Sequence, residues 1–451
     1  MRPARVPPGI LPVAAVLGVF VAGSVAFTAL EDPGEQLHII RPFYALFDPG
    51  FSVVGLLSLV VGGAIVWLAW RRRSALPAGA RPVLALPVLV LAMGAFAATI
   101  AAIDGARGFT EPIQRTAIPD SYADADLVAR YGVRGISGSW DLAVASAESI
   151  HTASHPPGAL LLIHGVRQVV GGPWGLVAVQ GLSSVLVLVP AWVIARAVAG
   201  ARASLVAVLL LAVAPAPVLH VFTSMDAVYA TLLAAGIALI VLAVRAGARP
   251  RFAVVAGAVI GLTTFMTYAA VFVAVFGVLH GVWTRGRAAL RPLGLAAVGG
   301  VGALAILWLA LDFNVFTVYA ASRDRLHAFP SGRSYWYGLV AAPVAWLVFA
   351  GVPMAGLAVR EVLARRPPYL LAMLAPLAVF YVLPWSLTGI IPLETERTLQ
   401  FAYPLAAAAA GAAYVRWEGA RGSASDATLA VLVGATAAQT ILLEALFFLF
   451  W

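Results

Sequence analysis

Along the chain, apolar runs of roughly 16–22 residues alternate with short polar turns, the pattern of a polypeptide that crosses a membrane many times. The runs fall near 9–30, 51–70, 82–103, 173–198, 203–221, 225–244, 252–266, 268–284, 293–312, 335–356, 368–390, 400–416 and 426–450, about thirteen crossings in all. The two at 252–284 are short, and only Met266-Thr267-Tyr268 divides them. A further stretch, 156–171, is apolar but too short and too polar to cross. Pro156-Pro157 suits a first helical turn, and His164 with Arg167 gives one polar face, so this segment reads as an amphipathic helix at the interface. Turns on one side of the bundle are no longer than roughly ten residues. The other side carries the longer polar segments, above all Asp104 to His155.

Composition agrees with a polytopic membrane protein. Of 451 residues, 62% are hydrophobic and 11% charged, with a mean hydropathy of +0.95, whereas soluble domains carry roughly a quarter charged residues. The expected organisation is one all-α transmembrane unit. Residues 1–81 form an extra N-terminal helical hairpin, 82–416 a core with the acidic loop 104–155, and 417–451 a C-terminal helix. Arg2 and Arg5 precede a long apolar run that lacks a small residue three places before a cut at Ala29, which reads as a retained signal anchor.

The absence of cysteine excludes disulfides, thiolate zinc sites and cysteine nucleophiles. Lysine is absent too, so Schiff-base chemistry is excluded and all 29 cationic side chains are arginine. The net charge of +9 points to membrane orientation, not to nucleic acid. Arg71 to Arg73, Arg202, Arg245, Arg285, Arg365 and Arg416 belong to turns on one side, which the positive-inside bias makes cytoplasmic, together with the N-terminus. Glu31-Asp32, Asp120 to Asp126, and Glu394 with Glu396 then face outward. No GxGxxG element follows a strand, and a GxxxxGK[ST] loop is impossible without lysine. A donor for group transfer must therefore come through the membrane or from outside.

Three carboxylates within seven residues, Asp120, Asp124 and Asp126, lie at a membrane surface, where carboxylates are costly. Their loop runs into His155-Pro156-Pro157-Gly158. Further on, Thr223-Ser224-Met225-Asp226-Ala227-Val228-Tyr229 opens one span, and Glu394-Thr395-Glu396-Arg397 precedes another containing Tyr403-Pro404. Together these elements, over about residues 82–416, resemble the GT-C superfamily of glycosyltransferases. That superfamily includes the protein O-mannosyltransferases, the aminoarabinose transferase of lipid A and many uncharacterised actinobacterial membrane proteins. The resemblance implies a GT-C-like helical bundle whose extracytoplasmic loop carries short interfacial helices. It also implies a polyprenyl-phosphate sugar donor and a glycan, lipid or protein acceptor outside the cytoplasm. The chain departs from the family pattern in having two spans before the one leading into the acidic loop, so Glu31-Asp32 also follows an outward span.

Displacing a polyprenyl phosphate from an anomeric carbon requires a base on the acceptor hydroxyl and cations or N–H dipoles on the phosphate. Asp120, in its Asp-x-Tyr setting with Tyr122, is the expected base, with Asp124 and Asp126 as substitutes. A divalent metal is compatible with Asp124-Ala125-Asp126, which spells DxD. Alternatively, Asp120 caps a loop helix and its two neighbours form a solvated face. His155 is expected at the donor phosphate or the acceptor, against the plainer reading of a residue held extended by Pro156. Arg397 is expected on the phosphate, against a pairing with Glu396; Glu396, Tyr122 and, in the outer loop shared with Arg333, Arg323 and Arg325 are the further substrate-binding candidates. Asp226 reads as a residue satisfying free N–H groups at a helix start. Trp174, Tyr335, Trp336, Tyr337 and Trp385 read as an aromatic belt. His38, His220, His280 and His327 show no ligand spacing, so no zinc site is expected. A lipid or sugar transporter or flippase is the alternative function, although no internal repeat is visible. A non-catalytic partner in an envelope complex is a third.

Overall fold

The apolar runs fold as helices because a chain in hydrocarbon has to satisfy its backbone polar groups internally. The computed structural model describes residues 6–31, 39–40, 45–71, 85–114, 121–328, 335–383, 394–420 and 426–449, without the side chains of 26–31, 39, 40, 46, 426, 448 and 449. Asp120, Asp32, Arg333, Trp385, His38 and the Glu31 side chain lie outside the described residues. The elements in order are α1 (Ile10–Glu31), β1 (Ile39–Ile40), β2 (Ala45–Phe47), α2 (Leu56–Arg71) and α3 (Ala85–Ala101). Five short helices follow over the acidic loop: α4 (Arg107–Gln114), α5 (Leu127–Tyr131), α6 (Gly135–Gly138), α7 (Trp140–Ser146) and α8 (Ile150–Ser154). Then come α9 (Pro157–Val170), α10 (Gly172–Ser184), α11 (Leu188–Leu211), α12 (Pro215–Leu219), α13 (Met225–Ala243), α14 (Pro250–Thr263), α15 (Ala270–Arg285) and α16 (Leu290–Leu311). The chain continues with α17 (Val315–His327), α18 (Tyr335–Phe349), α19 (Val352–Arg365) and α20 (Pro368–Val382). It ends with the turn Thr395–Thr398, the helices Tyr403–Gly419 and Asp426–Leu446, and β3 (Phe447–Leu449). Among the described residues five helices are long and apolar enough to span a membrane, or up to six if one bent pair counts as a single span. The protein is a multi-pass membrane protein.

At the centre, α11 lies along the Tyr403–Gly419 helix, which is buried over nearly its whole length. Its run of alanines lets the two backbones approach closely, as membrane helices without large side chains do. At one end Arg202 holds Glu418 at 2.5 and 2.6 Å, and Arg416 pairs with the buried Glu361 of α19. These ion pairs fasten α11, just past its non-helical Gly200 (φ 88°), and α19 to the C-terminal end of the Tyr403–Gly419 helix. Helix α1 lies against α19, while α2 packs on α3 and on the Asp426–Leu446 helix.

Two features differ from the sequence expectation. The run 335–356, expected as one crossing, is α18 and α19 bent by 114° at Gly351, where φ is +86°. The backbone groups freed at that bend are taken by Gln439: its Nε2 donates to Val348 O at 2.8 Å, and its Oε1 accepts from Val352 N at 2.9 Å. The next residue, Thr440, donates to Val213 O at 2.6 Å in the break between α11 and α12. The Asp426–Leu446 helix thus satisfies two chain breaks at once, as buried backbone requires. Secondly, the run 426–450 does not stay helical to its end. Its last residues form β3, which pairs antiparallel with β2, and β2 pairs with β1.

Candidate active site

The short helices α4–α8 form a cap whose buried residues, among them Val128, Ile136, Trp140 and Val144, make a second apolar core with α9. Trp140 Nε1 donates to Ser322 of α17 at 3.0 Å, and Tyr268 lies 2.8 Å from the same hydroxyl, so the cap is tied to the bundle. The polar face of α9 meets the acidic loop. His164 Nδ1 is 3.0 Å from Ala125 O, and Arg167 donates to Tyr122 O at 3.2 Å, lies over the Tyr122 ring and pairs with Asp126 at 3.3 Å. On the loop's other side, Asp124 accepts the backbone N–H groups of Glu148 and Ser149 at 2.8 and 3.0 Å. The turn immediately after Asp120 is therefore held from both flanks.

The HPPG element places its histidine through local backbone chemistry. Pro156 keeps His155 extended, with φ −123° and ψ 156°, and Pro157 starts α9. Gly158 donates its N–H to Phe265 O at 2.9 Å. A Cβ at that position would stand 2.3 Å from the same oxygen, so only glycine lets the start of α9 seat against the break after α14. Seated in this way, His155 faces Tyr229, with ring centroids 5.1 Å apart, and its Nε2 is 3.9 Å from Asp226 Oδ1.

Asp226 is the hub of the site. It is buried, yet it does not cap its helix: Ser224 does so, accepting Asp226 N–H at 3.1 Å. Its carboxylate instead faces Arg397, whose Nη1 is 3.2 Å from Asp226 Oδ2, while Nη2 holds Glu394 at 2.6 Å. His151 and His220 are within electrostatic reach of the same carboxylate. Arg397 is seated by its own segment. Glu394 takes a left-handed conformation (φ 61°), Thr395 Oγ1 donates to Ala342 O at 2.6 Å, and Tyr403 stacks on Trp346 of α18 with centroids 4.7 Å apart. A guanidinium buried between two carboxylates and beside a histidine can meet two oxygens of an incoming phosphate.

The expected site residues fall into two groups. His155 and Arg397 stand with Asp226 and Glu394; Arg397 pairs with Glu394 and Asp226, while Glu396 is buried and its backbone O accepts from the Tyr403 hydroxyl. Asp124, Asp126 and Tyr122 belong to the loop's anchorage on α9 and the cap. Asp124 and Asp126 do not present a shared pair of free carboxylates, and among the described residues no group of three His, Asp or Glu side chains could hold a metal ion. Arg323 pairs with its neighbour Asp324 at the surface, and Arg325 donates to Ala147 O at 3.4 Å, joining α17 to the cap.

Known proteins bear on this geometry. A sequence profile of the dolichyl-phosphate-mannose-protein mannosyltransferases matches residues 154–311, from just before His155 to the end of α16. Among solved structures, the chain is similar to ArnT from Cupriavidus metallidurans in the apo state. Identity is 16% and the TM-score 0.51, over 79% of this chain and 75% of that one. It is also similar to the same protein bound to undecaprenyl phosphate, at 16% identity and TM-score 0.49, over 79% and 76% of the two chains. Comparison with curated proteins gives no match. Residues 154–311 are thus similar to that family, and the helical bundle shares its fold with ArnT.

Proposed function

We propose that the protein moves a sugar from a polyprenyl-phosphate donor to an acceptor hydroxyl of an envelope glycan, lipid or protein on the extracytoplasmic side. The acceptor oxygen attacks the anomeric carbon, the bond from that carbon to the phosphate oxygen breaks, and polyprenyl phosphate departs. Asp120 takes the acceptor proton. Arg397 carries the leaving phosphate, with Asp226 and His155 holding the guanidinium side of the site in place. The observation that carries this reading is Arg397 itself, a buried arginine gathered against Asp226 and Glu394 at helix starts beside His155. A dolichyl-phosphate sugar is the donor named for the family whose profile matches the segment containing His155 and Asp226. The choice of Asp120 is supported by its neighbours. Asp124 is held by two backbone amides and Asp126 by Arg167, so both of these carboxylates already serve to anchor the loop. The bent pair α18–α19 is the feature that most favours a transporter, but its freed backbone groups are bound by Gln439, so it presents no substrate site at the bend.

Purified protein in vesicles with a radiolabelled polyprenyl-phosphate sugar and an envelope extract as acceptor tests the reaction. Asp120→Asn keeps size and removes the basic oxygen, so transfer is expected to fall by about 100-fold or more with folding retained. Unchanged turnover there, with loss in Asp124→Asn or Glu31→Gln, moves the base to that residue. Orientation is tested separately on the cysteine-free chain. An impermeant maleimide is expected to label Ser139→Cys and not Ala364→Cys in intact cells; the reverse pattern places the site on the cytoplasmic face.

A further inference from the structure

One helical turn beyond the Asp226–Arg397 pair, along the same two elements, lies a cavity of about 10 Å³. Its walls include Ala227 and Ala230 of α13, Pro217 of α12, Ser184 at the end of α10, and Gln400 with Tyr403. Two of these residues bring polar atoms that have no hydrogen-bond partner among the described residues: Ser184 Oγ and Gln400 Nε2, on side chains 2% and 4% exposed. The Tyr403 hydroxyl is occupied elsewhere, 3.1 Å from Trp346 O and 3.3 Å from Glu396 O. Alanine and proline walls offer nothing to satisfy the two groups.

Two polar groups buried without partners, on residues that line one void, are unfavourable unless something joins them. The void is too small for a sugar ring or a hydrated ion. It matches the roughly 10–15 Å³ that one water needs, and a buried water is stable where it finds two or more polar partners. We propose that this cavity is a binding site for one ordered water, which accepts a hydrogen bond from Gln400 Nε2 and is bonded to Ser184 Oγ. The water ties the turn that follows Arg397 to α10. Gln400 and Ser184 are thereby positioning residues for Arg397, a role that rests on the reading of Arg397 as the donor's phosphate contact.

The test has one arm that needs no activity. A structure of the wild-type protein at water-resolving resolution is expected to show a single density peak about 3 Å from both Ser184 Oγ and Gln400 Nε2. The peak should be lost in Gln400→Met, which keeps the length of the side chain without its donor. An empty cavity in the wild type overturns the proposal, as does a direct bond between the two side chains. The second arm measures donor kinetics. Gln400→Met and Ser184→Ala are each expected to raise the donor KM about fivefold with little change in kcat, the scale of one lost hydrogen bond. Because both would act through one water, the double variant should be no worse than either single one. Losses that multiply overturn the bridging role. If the protein transfers no sugar from polyprenyl phosphate, the proposed reaction fails while the density arm still decides the water.

Discussion

Replacing Asp226 by Asn is expected to lower sugar transfer by about 100-fold or more while the chain still inserts and folds. Removing one member of a buried ion pair leaves the other charge uncompensated, at roughly 3–5 kcal/mol, and each ~1.4 kcal/mol that reaches the transition state is a factor of ten. The guanidinium of Arg397 would keep Glu394 at 2.6 Å and lose its 3.2 Å partner on α13, so it would swing toward its own segment. His155 would lose the carboxylate 3.9 Å from its Nε2. The start of α13 would survive, because its cap is Ser224, which the substitution leaves in place. The measurement is turnover per folded molecule, with folding followed by thermal unfolding in detergent. Full turnover in a normally folded Asp226→Asn would show that the carboxylate only fills space, and the cluster would no longer define the site.

The same residue shows what sequence can and cannot reveal. Ser224 and Asp226 both belong to the set that caps helices, and either one explains a helix start, so the chain alone gave no reason to look for more. The usable signal was redundancy: one cap suffices, and the second capping-type residue was free for other work. That its partner is Arg397 lay beyond reach, since the two are joined only by the packing of α13 against the 394–403 segment. The acidic loop failed differently. Asp124 and Asp126 look alike in sequence, and only the fold separates a carboxylate turned into two amides from one laid against Arg167.

The bundle was more legible, because the membrane demands long apolar runs and the chain shows almost nothing else. HPPG was legible as well, since two prolines and a glycine dictate backbone shape directly. What escaped was the interruption of apolar runs. Gly351 sits among residues as apolar as any in a continuous span, and the mark of the bend lies far away in Gln439, a polar side chain inside the last run. The strand Phe447–Leu449 escaped because an aromatic-rich end suits a helix in lipid as well as a strand.

Replacing Arg397 by Ala is expected to abolish transfer almost completely, and Arg397→Lys to retain part of it. A lysine keeps the charge but has a single nitrogen, so it cannot meet two phosphate oxygens while also holding carboxylates on both sides. In the present arrangement Nη1 serves Asp226 and Nη2 serves Glu394, which fixes the plane of the guanidinium. At a buried site salt screens such pairs little, so the loss should persist at high ionic strength. A purely structural role predicts something else: Arg397→Ala and Glu394→Gln would share a lowered thermal midpoint and leave turnover per folded molecule unchanged. Donor affinity separates the two. Arg397→Ala should weaken binding of the polyprenyl-phosphate sugar and of free polyprenyl phosphate to a similar extent, because the contact is to the phosphate and not to the sugar. Normal affinity for both ligands in that variant removes Arg397 from the phosphate site and leaves it as a brace between α13 and the 394–403 segment.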